Sequence, residues 1–158
     1  MSEHMSDPDV SAPTRDDLRS FAAFTERFAE PGFVAGAWTL PEKRDDGAIV
    51  VGWWSSSQVI NDWNQALYDR NIIDEDSNYL SVANVAFFNR SIADPSILST
   101  IGLARLRRAL TFLARAEWHS EGEWYEQAFE SGLAQAATRR LSELADARRS
   151  PRAATSHD

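Results

Sequence analysis

The segment Arg115-Ala-Glu-Trp-His-Ser-Glu-Gly122 gathers the side chains of this chain best suited to chemistry. Arg115, Glu117, His119 and Glu121 form a candidate polar site, with Glu123 just beyond. An arginine among carboxylates could hold a polar ligand, and a histidine titrates near neutrality without help, so the set suits acid–base work or small-ligand binding. A second reading uses most of the same residues. Ser120-Glu-Gly-Glu123 matches the capping box, in which the serine hydroxyl accepts from the Glu123 amide and the Glu123 carboxylate answers the Ser120 amide. On that reading the segment is a corner between two helices, with acids that complement a helix N-terminus. Capping leaves Arg115, Glu117 and His119 unexplained.

Other chemistries find little support. His119 and Glu123 share a four-residue spacing, but a capping box between them breaks the helix that would put them on one face. The remaining histidines, His4 and His157, lie near the ends of the chain, and a zinc site wants three or four ligands. No metal is expected. There is no cysteine, hence no thiolate nucleophile, and a cysteine-free chain suits a reducing cytoplasm. Phosphate-binding glycine loops, G-x-S-x-G and H-E-x-x-H are all missing, so no cofactor and no catalytic residue is assigned. Ser55-Ser-Ser57 has no obvious base and reads as helix caps.

Two surface readings remain. Arg105, Arg107 and Arg108 on one helix, with Arg139 and Arg140 on another, could build a basic patch for nucleic acid. The net charge of −8 opposes that, because an acidic chain repels phosphate backbones. No aromatic stacking set is interleaved with these arginines, and Glu126, Glu130 and Glu143 offer them partners. Six tryptophans are many for 158 residues, and most belong in a core. Adjacent Trp53 and Trp54 cannot both point inward from a strand, so one of them is a candidate interface residue.

The elements that must position these residues are mainly helical. Met1–Pro13 and Ser150–Asp158 are polar, lack periodicity and read as disordered ends around a single domain over residues 14–149. Thr14 caps a first helix whose inner face is Leu18, Phe21, Phe24 and Phe28, ended by Pro31-Gly32. Phe33–Leu40 and Ile49–Trp54 flank a turn-like connector, which allows one small β-hairpin. A second helix carries Val59, Ile60, Trp63, Ala66, Leu67 and Tyr68. A third spans about Asn78–Arg90 through Leu80, Ala83, Val85, Phe87 and Phe88. Asp94-Pro95 opens a single turn, and Thr100 begins the longest helix, with Leu103, Leu106, Leu110, Leu113 and Trp118 inward. Two more helices follow, one bearing Trp124, Ala128 and Phe129, the other Leu133, Ala136, Ala137, Leu141 and Leu144. The expectation is a compact domain of five or six helices. No apolar run is long enough to cross a bilayer, and the polar, acidic N-terminus does not read as a secretory signal.

Several of these pieces, taken in order, carry a resemblance. Ala66-Leu-Tyr68, Ile92-Ala-Asp-Pro95, Leu103-Ala-Arg-Leu106, Arg115-Ala-Glu117 with Glu121-Gly122, Glu130-Ser-Gly132 and Arg139-Arg-Leu141 together resemble a bacterial family of unknown function, domain of unknown function 6508. The resemblance covers Leu18 to Leu144 and is firmest after Asp94. It implies a compact helical domain and no agreed activity. Trp118 and His119 stand where the family tends to have Arg and Phe, which weakens any requirement for a second arginine. Function is then expected in this order: a non-enzymatic cytoplasmic module that binds or regulates a protein partner, a small-ligand binder or enzyme at Arg115–Gly122, and a nucleic-acid accessory protein.

Overall fold

The structure is a computed structural model that describes residues 12–75, 77–120 and 122–147, including side chains except those of residues 118–120. The element order among the described residues is α1 (Arg15–Arg19), α2 (Ala22–Phe28), β1 (Gly36–Thr39), β2 (Glu42–Lys43), β3 (Ile49–Val50), β4 (Trp53–Ser56), α3 (Gln58–Asp69), α4 (Val82–Ala93), a 3-10 turn (Pro95–Thr100), α5 (Leu103–Ser120), α6 (Glu123–Glu130) and α7 (Leu133–Ala147). The domain is mainly α with one small hairpin, as its patterning implied.

Helix α7 is the hub. It contacts α1, α2, α5, α6 and the 3-10 turn, and its small residues Ala134, Ala137 and Ala145 are buried, which lets neighbouring helices approach closely. Around it, Phe28, Phe33, Trp63 and Phe129 meet edge-on or tilted, at centroid separations of 5.2–6.1 Å. Such ring pairs add to the burial of their large apolar area. Trp63 is fully buried, and its indole N–H donates to Thr138 Oγ1 at 3.0 Å, which satisfies its one polar atom. A second aromatic cluster, Phe88, Phe112 and Trp124, joins α4, α5 and α6.

Local signals explain several boundaries. Thr14 and Asp17 form a reciprocal capping box, and Pro13 beside it is buried. The single first helix expected from the phenylalanine spacing is two short helices instead. At the break, the Phe21 amide bonds back three residues to Leu18, while the shared inner face of Leu18, Phe21, Phe24 and Phe28 is kept. Ser55 and Ser56 belong to β4, and Ser57 holds the N-cap position of α3 without a side-chain bond. Helix α4 starts four residues later than expected, because Ser81 caps it through the Asn84 amide. Leu80, placed on the inner stripe by sequence, is therefore exposed ahead of the helix. The longest helix begins at Leu103, since the turn opened by Asp94-Pro95 runs on through Thr100.

The four strands are one hairpin. Gly36 pairs with Ser56, Thr39 with Trp53, Glu42 with Val50 and Lys43 with Ile49, a single unbroken register. The ladder lapses only around Pro41, which has no N–H to donate. Arg44 and Ala48 close the tip, where Gly47 takes a φ of +83°, the left-handed residue that a three-residue hairpin loop demands. Successive side chains alternate between faces. Trp38, Leu40, Val50 and Trp54 thus lie on one face, and Thr39, Pro41, Lys43, Ile49, Val51 and Trp53 on the other.

Candidate functional site

The corner between α5 and α6 carries the polar residues singled out by sequence, and the hairpin rests on it. Helix α5 runs through Ser120, and the N-cap of α6 is Gly122, with no side-chain bond from the cap itself. The N-cap position thus falls to Gly122, two residues after the Ser120 expected from the capping-box pattern. A carboxylate from the preceding helix does the capping instead. Glu117 Oε2 accepts the amide of Tyr125 at 3.0 Å, the third residue of α6, and so satisfies an orphan donor and places negative charge at the positive end of the helix.

Gly122 is constrained twice. Its φ of +100° lies in a region that L side chains avoid. A Cβ there would also collide with Cβ and Cγ of Trp54, so the base of the β4 indole packs onto bare backbone. Trp54 meets Trp38 edge-on at 5.7 Å, and the Trp38 indole N–H donates to Glu126 Oε2 at 2.7 Å. Trp54 is thus an inward residue that fastens the hairpin to the corner. Its neighbour Trp53 points the other way and is 48 % exposed. The pair expected as a candidate interface divides into one structural residue and one surface residue.

Of the polar set, Arg115 and Glu117 lie on α5 two residues apart, a spacing that does not bring side chains together on a helix. Arg115 lies over the Tyr79 ring, 5.6 Å from its centroid, and its Nε is buried without a hydrogen bond. Glu117 turns to α6. Glu121 and the side chain of His119 lie outside the described residues. Sequence reasoning missed Tyr125, whose hydroxyl donates to Asn64 Oδ1 on α3. Burial foremost, then the Glu117 and Tyr68 side chains, hold its phenol well above the ordinary value of 10.0. Tyr125 therefore stays neutral at physiological pH and serves as a buried hydrogen-bond donor. Nothing local in the sequence marks it, because Asn64 is 61 residues away.

The arginines of the proposed basic face are divided among different tasks. Arg107 Nε donates to the Ile72 carbonyl and Arg140 Nε to the Ile101 carbonyl. Arg140 also pairs with Glu143, and Arg105 stacks over Phe87 at 4.1 Å. Among the described residues, no helix is long and apolar enough to cross a membrane, and no group of three or more His, Asp or Glu side chains is placed to hold a metal ion.

A model of a family of unknown function, DUF6508, matches residues 13–147. The chain belongs to the DUF6508 family. No curated protein and no solved structure matches it. Within this DUF6508 chain, the corner motif that carried the resemblance acquires physical meaning: Glu117 caps α6, and Gly122 is the bare surface that receives Trp54.

Proposed function

We propose that this DUF6508 protein is a non-enzymatic interaction module of the cytoplasm, which binds a protein partner through the outer face of its hairpin. The observation that carries the reading is a ridge of three large apolar side chains at alternate positions of one strand. Ile49 and Val51 are each 71 % exposed and Trp53 is 48 % exposed. Packing within the domain does not account for the ridge, since the opposite face of the hairpin makes the contacts with the corner. Water contact with contiguous apolar surface is unfavourable, and such patches mark interaction sites. Tryptophan is also among the side chains that dominate interface energy.

The same face carries Lys43, the only lysine of the chain, paired across from Ile49. Its other strand residues, Ala37, Thr39, Pro41 and Ser55, are uncharged, so the strand part of this face carries no acid on a protein of net charge −8. The matching partner surface is apolar with a carboxylate within reach of Lys43. The absence of cysteine supports a reducing compartment.

The test is a quantitative pull-down with the triple variant Ile49→Thr, Val51→Thr, Trp53→Thr, which keeps β-branched residues on the strand. The comparison is Leu80→Thr, at an exposed apolar position outside the hairpin. The reading expects proteins enriched by the parent chain to be lost with the hairpin variant and retained with Leu80→Thr. An unchanged set with both variants overturns it. Size-exclusion chromatography with light scattering on the same proteins shows whether the partner is a second copy of the chain.

A further inference from the structure

On the inner side of the hairpin, where its base meets α6, lies a cleft of about 450 Å³. This is within the size range of small-molecule sites, roughly 300–1,000 Å³. Its walls are aromatic. Trp38 and Trp54 stand edge-on at 5.7 Å, and Phe33 and Phe129 are tilted at 6.0 Å. Two carboxylates, Glu126 and Glu130, share the lining with Gln135 and the small residues of the hairpin base, and no basic residue contributes to it. Glu126 accepts the Trp38 indole N–H, a bond that fixes the angle of that ring at the mouth of the cleft. No ion pair joins either carboxylate to a described cation.

We propose that this cleft binds a quaternary or highly methylated ammonium group. Aromatic faces present negative electrostatic potential and attract a cation that sheds water readily, which an alkylated ammonium does and a simple ammonium resists. The two carboxylates add an uncompensated negative charge at short range, in a partly desolvated cleft where charge attraction is stronger than in bulk water. The methyl groups find apolar contacts on Phe33, Phe129 and both indoles. A neutral ligand of the same shape gains the apolar contacts alone, and an anion is repelled. The group can be carried by a free small molecule or by a trimethylated lysine side chain. The site is separate from the outer ridge, since it lies on the opposite face of the hairpin.

The experiment uses the full chain, with isothermal titration calorimetry and the indole N–H resonances of ¹⁵N-labelled protein as readouts. The probes are choline, its uncharged isostere 3,3-dimethylbutan-1-ol, and a short peptide containing trimethyllysine. The expected result is saturable binding of choline or of the peptide, with shifts of the Trp38 and Trp54 indole signals, and the uncharged isostere about tenfold weaker or worse. The tighter of the two cationic probes identifies the source. Glu130→Gln, an exposed position, is expected to weaken binding a few-fold, and Glu126→Gln with Glu130→Gln about tenfold, with circular dichroism unchanged. The proposal is overturned if neither cation binds saturably, if the isostere binds as tightly as choline, or if the folded double variant binds both cations like the parent.

Discussion

Replacing Gly122 by alanine tests the corner at its tightest point, and the structure separates the cost into two parts. Alanine at a φ of +100° carries backbone strain of about 1–3 kcal/mol. Its Cβ also takes space held by Cβ and Cγ of Trp54, atoms fixed close to the β4 backbone, so the indole must leave. Uncovering on the order of 100 Å² of apolar surface as it leaves costs about 2.5 kcal/mol at roughly 25 cal/mol per Å². The sum is about 3.5–5.5 kcal/mol, a large part of the roughly 5–15 kcal/mol that holds a domain folded. Gly132 supplies the control. It has a φ of +86° but nothing within 4 Å of an added Cβ, so Gly132→Ala carries strain alone. Urea unfolding, followed by circular dichroism, is expected to rank Gly122→Ala below Gly132→Ala by about 2.5 kcal/mol. In a Trp54→Gly background the gap should close, because the colliding Cβ and ring are both gone. Equal costs for the two glycine variants, or a gap that survives removal of Trp54, would refute the packing of indole on bare backbone.

Two further outcomes follow from the same corner. Glu117→Ala removes the acceptor for the Tyr125 amide and is expected to lower stability by about 1–2 kcal/mol, with Glu117→Gln intermediate, measured by urea titration. The phenol of Tyr125 has its pKa raised by burial and by Glu117, so its neutral form stabilises the fold fully below the unfolded value near 10.0, and that contribution fades as pH rises above it. Tyr125→Phe should therefore flatten the alkaline loss of stability between about pH 10 and 12, and identical alkaline slopes for the two proteins would contradict the assignment.

What the sequence revealed and what it hid divide along local and non-local physics. The Thr14 cap was legible because its hydroxyl and the amide it meets lie within one turn, and the hairpin because β-branched and aromatic runs flank a turn of Asp-Asp-Gly. The Ser120–Glu123 match follows the same local rule, but α5 continues through Ser120, the N-cap of α6 is Gly122, and Glu117 reaches the Tyr125 amide across the corner. That bond depends on the angle between two helices, which no short spacing encodes. Alternation alone required Trp53 and Trp54 to face opposite ways, but choosing the inward one needed Gly122, 68 positions further along the chain. The break between α1 and α2 was invisible because the phenylalanine stripe continues across it, and the buried stripe, more than continuous backbone bonding, is what the core requires.

In the proposed arrangement the corner holds the hairpin while the outer face of the hairpin meets a partner. The most direct measurement is site-specific photo-crosslinking in cells, with a benzophenone amino acid at position 53 and, separately, at position 80. The expected result is a discrete protein adduct from position 53 that disappears when Ile49 and Val51 are threonine, and none of the same mass from position 80. No adduct at position 53, or the same adduct from both positions, would contradict it.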